Sequence, residues 1–190
     1  MSVVAEVALF VVVLVQGVLL VGLLREVGLI QVRIGPSFAM SNEEGPPVGS
    51  TAPVVTLNTE VGGEAIIGGM RSKAQLLAFI SPGCGTCHAL VGPLGLIGRS
   101  ESDILDVVAV CAGQDEDCRE FFRPVRDSVI VVNDRDASIR SEFNVQGSPF
   151  ALVVDKNGVV GESGVVNNLQ QIEFLLRSLE RSGELLIAGR

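Results

Sequence analysis

Cys84-Gly85-Thr86-Cys87 sets two thiols three residues apart. At that spacing they can close a disulfide within one turn of a helix. The motif follows an apolar run, Leu76-Leu77-Ala78-Phe79-Ile80, across a Ser81-Pro82-Gly83 turn, and it precedes a segment that reads as a helix. The first thiol then stands at a helix N-terminus, where unpaired backbone N–H groups and the helix dipole favour the thiolate. A thiolate so placed attacks disulfides, and the second thiol resolves the mixed disulfide that results. The chemistry indicated is thiol–disulfide exchange by an enzyme, with Cys84 as the exposed nucleophile and Cys87 as the more buried resolving thiol. The redox-active pair needs no diffusible cofactor and no metal. Gly85 and Thr86 would tune the pair through local geometry and hydrogen bonding to sulfur.

The same residues admit other chemistries. A zinc site needs a second ligand pair, and Cys111 with Cys118 is the remaining pair, but its seven-residue separation is unlike a zinc knuckle. Cys84-Gly85-Thr86-Cys87-His88 also matches the haem-attachment pattern, with His88, the only histidine, as axial ligand. The motif's position between a buried strand and a helix favours the redox reading over both. His88 is then either a cation that raises the thiolate population when protonated or an exposed, passive side chain. For Cys111 and Cys118, at a strand end and a helix start, three states are open: a structural disulfide, free buried thiols, or a second redox relay. Asp115, Glu116 and Asp117 would disfavour a reactive thiolate there.

The elements that must position these residues alternate along the chain. Val54–Leu57 and Glu64–Ile67 flank Gly62-Gly63 as a hairpin. Ala74–Ile80 is a near-continuous apolar run, as for a strand buried on both faces. A helix over Gly85 to about Gly98 carries the thiols, with Pro93 inside it. Strands at Ile104–Val110 and Val129–Val132 alternate with helices at Asp115–Arg123 and Ala137–Phe143. Phe150–Val154 and Val159–Glu162 form a hairpin around Asp155-Lys156-Asn157-Gly158. A last helix from about Asn168 sets Leu169, Ile172, Leu176 and Leu179 at helical spacing. This order predicts an α/β fold, a mixed sheet flanked by helices.

The N-terminus is a separate element. Val7 to Leu24 carries no charge, and Val3 and Val4 extend the run, which matches the ~20 residues a helix needs to span a bilayer. No Lys or Arg precedes it, and it is too long for the apolar region of a cleaved signal peptide. Residues 3–24 are therefore expected to be one transmembrane anchor in contact with lipid, 25–50 a juxtamembrane segment and Pro/Gly-rich linker, and 51–190 the folded domain. A formal net charge of −8 excludes a nucleic-acid role, because phosphate binding needs basic surface. The absence of Trp and Tyr argues against a sugar- or base-stacking surface.

With these residues in view, the chain resembles the membrane-anchored TlpA/ResA-like proteins of the thioredoxin fold. Cys84-Gly85-Thr86-Cys87 after a buried strand, and Gly147-Ser148-Pro149 before the terminal hairpin and helix, carry the likeness. Softer stretches resemble, within that group, the MauD family of methylamine utilisation. These are Leu23–Leu29, Gly45–Gly49 with Ala52-Pro53, Gly147–Leu152 and Gly164–Leu169. The resemblance implies a thioredoxin-like domain and a cis Ser148–Pro149 bond beside Cys84. It implies that Ser148 and Pro149 bind substrate by backbone pairing with an extended client. It also implies a reductase or isomerase role in maturing the disulfide-rich small subunit of methylamine dehydrogenase, and a polytopic membrane partner that supplies electrons. The alternatives are a general TlpA/ResA-like reductase for cytochrome c maturation and a non-catalytic scaffold in a membrane complex.

Location sets two arguments against each other. Arg25 and Arg33 follow the span and nothing basic precedes it, which by the positive-inside rule would hold the domain in the cytoplasm. Family resemblance, and the usefulness of a redox domain where clients hold disulfides, favour the extracytoplasmic side. Large domains cross largely regardless of local charge. The expectation is a single-pass protein of the cytoplasmic membrane with its domain in the periplasm or its equivalent.

Overall fold

The structure, a computed structural model, describes residues 7, 9–20, 44–58, 63–181 and 183. The chain divides into two units, Met1–Ala39 and Met40–Arg190. In the first, residues 9–20 are helical, and apolar side chains such as Phe10 and Leu14 are exposed. Among the described residues no helix is long and apolar enough to cross a membrane. Residues 3–6, 8 and 21–24 of the expected span, and 25–43 of the segment after it, lie outside the described residues.

The second unit carries a hairpin of β1 (Val55–Asn58) and β2 (Glu64–Ile67) and a separate five-stranded sheet. The sheet comprises β3 (Ala74–Ile80), β4 (Leu105–Cys111), β5 (Ile130–Asn133), β6 (Phe150–Val154) and β7 (Val160–Val165), in the spatial order β5-β4-β3-β6-β7. The first three run parallel, and β6 and β7 are antiparallel additions. Every residue of β3 and β6 is buried, which explains why β6 is an unbroken apolar run and β3 is broken only by Gln75, whose side chain accepts from Gly68 N and donates to Ile66 O.

Four helices flank the sheet: α1 (Gly85–Ser100), α2 (Asp115–Phe122), α3 (Ser138–Glu142) and α4 (Leu169–Arg181). The short 3₁₀ turn Arg123–Val125 follows α2. Cys87, Leu90, Leu94 and Ile97 are buried on α1, and Ile172, Leu175, Leu176 and Leu179 on α4. Burying a side chain of this size stabilises the fold by roughly 1.5–3 kcal/mol. Phe79 joins the layers, its ring 5.9 Å from Phe143 and 6.3 Å from Phe150. α1 lies so close to the loop before β5 that a Cβ on Gly98 would stand 1.9 Å from the Ser128 carbonyl oxygen.

Register determines where the site forms. Ile80 pairs with Cys111, and Phe79 pairs with Phe150. The end of β3, the end of β4 and the start of β6 therefore meet at one edge of the sheet. From that edge the chain leads into Cys84, out of Cys111 and in from Ser148–Pro149.

The segment expected to be linker is fixed to this domain from Glu44 onward. Glu44 Oε1 accepts the backbone N–H groups of Gln146 at 2.9 Å and Gly147 at 2.7 Å. Gly45 N donates to Asn144 O at 2.8 Å, and Gly49 N to Val160 O at 2.8 Å. From Glu44 the Pro/Gly content that reads as a linker forms bends and turns, with Gly45 and Gly49 at positive φ, held on the domain through its backbone.

Candidate active site

Cys84 is the N-cap residue of α1, with φ −93° and ψ 113°, and no side chain caps the helix. Its thiol is partly exposed at that end of the helix. The Ser81–Gly83 turn is closed by the Cys84 N–H donating to Ser81 O at 3.0 Å. Cys87 lies inside the first turn and is fully buried. Both cysteines are free thiols in this structure. Burial, and then a hydrogen bond with the Cys84 thiol, push Cys87 up to about 12; a backbone hydrogen bond with Ser81 and the charge of Arg140 act the other way. The pair is therefore asymmetric, one sulfur reachable and the other held neutral behind it.

Ser148 closes the site from the opposite loop. The Ser148–Pro149 bond is cis. The Cys84 thiol points at the Ser148 carbonyl oxygen, 3.7 Å away, and Pro149 is buried beneath. Gly85 and Thr86 are exposed at the start of α1. His88 is also exposed, and it has specific contacts: its Nε2 donates to the Pro82 carbonyl at 3.0 Å, and its ring stands edge-on to Phe121 at 4.8 Å. It ties α1 both to the turn before Cys84 and to α2. An open groove of about 670 Å³, lined by Pro82, His88, Val91, Asp117, Glu120 and Phe121 among others, runs beside it.

Cys111 and Cys118 are bridged to one another, and both are fully buried. The bridge ties the end of β4 to α2, directly behind the turn that precedes Cys84. A Cβ on Gly113 would meet Cys118 Sγ and the Pro82 ring at 3.2 Å each. Ser81 Oγ donates to Ala112 O at 3.1 Å, and Ala112 N donates to Ile80 O at 2.8 Å. Bridged sulfurs are not thiolate ligands, so this pair does not complete a zinc site with the first. Among the described residues no group of three or more His, Cys, Asp and Glu side chains is arranged to hold a metal ion.

Three further residues build this region. Asp134, its side chain fully buried, caps α3: its carboxylate oxygens accept from Ile139 N at 2.8 Å and Arg140 N at 3.1 Å. Arg140 pairs with it, Nε to Oδ2 at 3.6 Å, and its Nη2 donates to Ser148 Oγ at 3.1 Å and to Ile80 O at 3.4 Å. Burial pulls the Arg140 guanidinium down from its ordinary value, while the charges of Asp134 and Cys87 pull it back up. Glu44 holds the loop that leads into Ser148. An Asp a few residues before a short helix is a capping signal, but nothing in the local pattern turns Arg140 inward.

The arrangement can be set beside known proteins. No family model matches the chain. Among solved structures, a thiol:disulfide interchange protein DsbE from Chlorobium tepidum superposes with a TM-score of 0.63 at 21% identity, covering 72% of this chain and 97% of that one. StoA from Bacillus subtilis gives 0.54 at 18%, covering 68% and 98%. These likenesses establish the thioredoxin-like fold. Among curated sequences, the methylamine utilization protein MauD of Methylorubrum extorquens is 33% identical over 170 residues, 87% of this chain and 80% of that protein. The MauD protein of Paracoccus denitrificans is 31% identical over 170 residues, 87% and 82% of the two chains. At that identity, across most of both lengths, the chain belongs to the MauD family of methylamine utilization proteins.

Proposed function

We propose that this chain is a thiol–disulfide oxidoreductase that acts on protein disulfides, reducing or isomerising them. One observation carries the reading: a part-exposed Cys84 at a helix N-terminus, backed by a buried Cys87 and faced by the Ser148 carbonyl at 3.7 Å. The Cys84 thiolate attacks one sulfur of a client disulfide, forming a mixed disulfide and releasing the other sulfur as a thiolate that takes up a proton. Cys87 gives up its proton and attacks Cys84 Sγ. The Cys84–client bond breaks, the client leaves with both thiols, and the enzyme keeps the disulfide. Two electrons pass to the client, and a membrane partner of several spans returns them. Ser148 and Pro149 receive the client's backbone beside Cys84.

The client is the disulfide-rich small subunit of methylamine dehydrogenase. Family membership supports this, since the relatives' name places them in methylamine utilization. The domain is carried by an N-terminal membrane anchor and lies on the extracytoplasmic side, a reading supported by the uncharged run from Val7 to Leu24. A C87S variant in cells grown on methylamine tests both activity and client, because it stalls at the mixed disulfide. The dehydrogenase small subunit should be recovered on Cys84 under non-reducing conditions. Recovery of apocytochromes instead would assign a general cytochrome-maturation reductase. Full function retained by C84S would assign a scaffold.

A further inference from the structure

A buried thiol attacks only as its thiolate, so the resolving step requires compensation for a charge formed on a buried sulfur. Arg140 stands where that compensation is needed. Its Nη2 donates to the Ser148 hydroxyl at 3.1 Å and to the carbonyl of Ile80, at the end of β3, at 3.4 Å. Ser148 in turn presents its own carbonyl to Cys84 Sγ at 3.7 Å. One guanidinium nitrogen thus bridges the two segments that enclose the thiol pair.

Asp134 offsets part of that charge but does not take up the guanidinium's hydrogen bonds. Both carboxylate oxygens already accept backbone N–H groups of α3, and the 3.6 Å separation from Arg140 Nε exceeds that of a charge-assisted hydrogen bond. Arg140 Nε makes no hydrogen bond although it is buried. A buried ion pair of this kind contributes little net stability, because desolvation offsets the attraction. The contacts of Arg140 with Ser148 and the end of β3 account for it better.

We propose, resting on the thiol–disulfide reading above, that Arg140 is a positioning residue for the second exchange step: its guanidinium holds Ser148 and the end of β3 against the thiol pair and supplies the positive charge toward which the Cys87 thiolate forms. In that step the Cys87 proton passes to water and its sulfur attacks Cys84 Sγ. The Cys84–client bond breaks, and the client sulfur departs with the electron pair and takes up a proton. The charged and titratable groups acting on Cys87 are Cys84 from its own helix and Arg140 from α3, with Asp134 behind Arg140. Once Cys84 is bonded to a client it no longer titrates, so its thiol and its charge cease to oppose ionisation. Burial is then opposed by the Ser81 backbone and by Arg140.

Stopped-flow reaction of the reduced full-length protein with 5,5′-dithiobis(2-nitrobenzoate) separates the steps. Cys84 releases one coloured thiolate on forming the mixed disulfide, and Cys87 releases a second on resolving it. In R140Q the second release should slow about tenfold near neutral pH for each unit by which Cys87 rises, and its pH profile should move upward. R140K, which keeps the charge, should restore the profile toward the parent's. A second release in R140Q with the parent's rate and profile overturns the proposal. Equal slowing of both releases with an unmoved profile also overturns it. R140Q leaves Asp134 buried without its counter-charge, so if it does not fold, D134N/R140Q is read by the same criteria. Failure of the unmodified protein to release the second thiolate would overturn the exchange reading itself, which no difference between variants can mimic.

Discussion

Cys87 is fully buried one helical turn behind the part-exposed Cys84, and its N–H donates to the Cys84 carbonyl at 3.0 Å. The two sulfurs share a helix end but not an environment. Brief alkylation of the reduced protein near neutral pH should therefore label Cys84 first, read by mass spectrometry of the peptides. Cys87 labelled ahead of Cys84 would exchange their roles.

The same asymmetry has a stability consequence. Cys87 is pushed from 9.0 up to about 12, chiefly by burial. A folded value above the unfolded one means that the contribution is complete below about pH 9 and is lost as pH rises toward about 12. The oxidised protein has no thiol there to titrate. The reduced form should lose stability relative to the oxidised form by about 1 kcal/mol per pH unit within that window. Urea midpoints of both forms, measured from about pH 8 to about pH 11, check it. A gap that does not change with pH would contradict the burial of Cys87.

Cys111 and Cys118 close a short loop in a fully buried position. Replacing both with Ala, which avoids burying a hydroxyl, should cost about 2–3 kcal/mol from loop entropy. Reduction of a model disulfide at a temperature where the variant is folded should persist. Loss of that activity in a folded variant would mean that the second pair takes part in electron transfer.

Two glycines of α1 meet different obstacles to a side chain. A Cβ on Gly98 would fall 1.9 Å from the backbone oxygen of Ser128, so G98A must push the helix away, at about 1–3 kcal/mol. A Cβ on Gly92 would meet nothing within 4 Å beyond its chain neighbours, but Gly92 precedes Pro93, whose ring crowds a Cβ on the residue before it in helical conformation, so G92A should not realise the ~1 kcal/mol that helix propensity alone would give. Thermal midpoints decide; a neutral G98A would show that α1 does not press on the Ser128 loop.

Topology gives the last prediction. With the N-terminus inside and the domain outside, a membrane-impermeant thiol reagent added to intact spheroplasts should label Cys84 once it is reduced. Labelling only after the membrane is opened would place the domain in the cytoplasm, as the Arg25 and Arg33 bias suggests. It would also remove the proposed client.

What was legible in the sequence was what is local. A thiol pair between an apolar run and a helix defines its own geometry, and the buried strands announce themselves, β6 as a continuous apolar stretch and β3 as one broken only by Gln75. The contact between Cys84 and Ser148 came through resemblance, because their approach depends on sheet register rather than on any local pattern. Arg140 was not legible: α3 is five residues long, too short for a periodicity to distinguish its faces. Glu44 was hidden by its setting, since a Pro/Gly-rich stretch reads alike whether it hangs free or is pinned through its backbone and one carboxylate.

That pinning bears on reach. Glu44 grips Gln146 and Gly147, the residues just before Ser148, so for the anchored form the free length of tether is counted to the loop of the active site itself. Residues 25–43, even fully drawn out at roughly 3.3–3.6 Å each, cannot exceed about 68 Å. Disulfides held higher above the bilayer than this leash plus the width of the domain are beyond its range. Altitude would thus select clients before any recognition by shape, favouring those met soon after they emerge across the membrane.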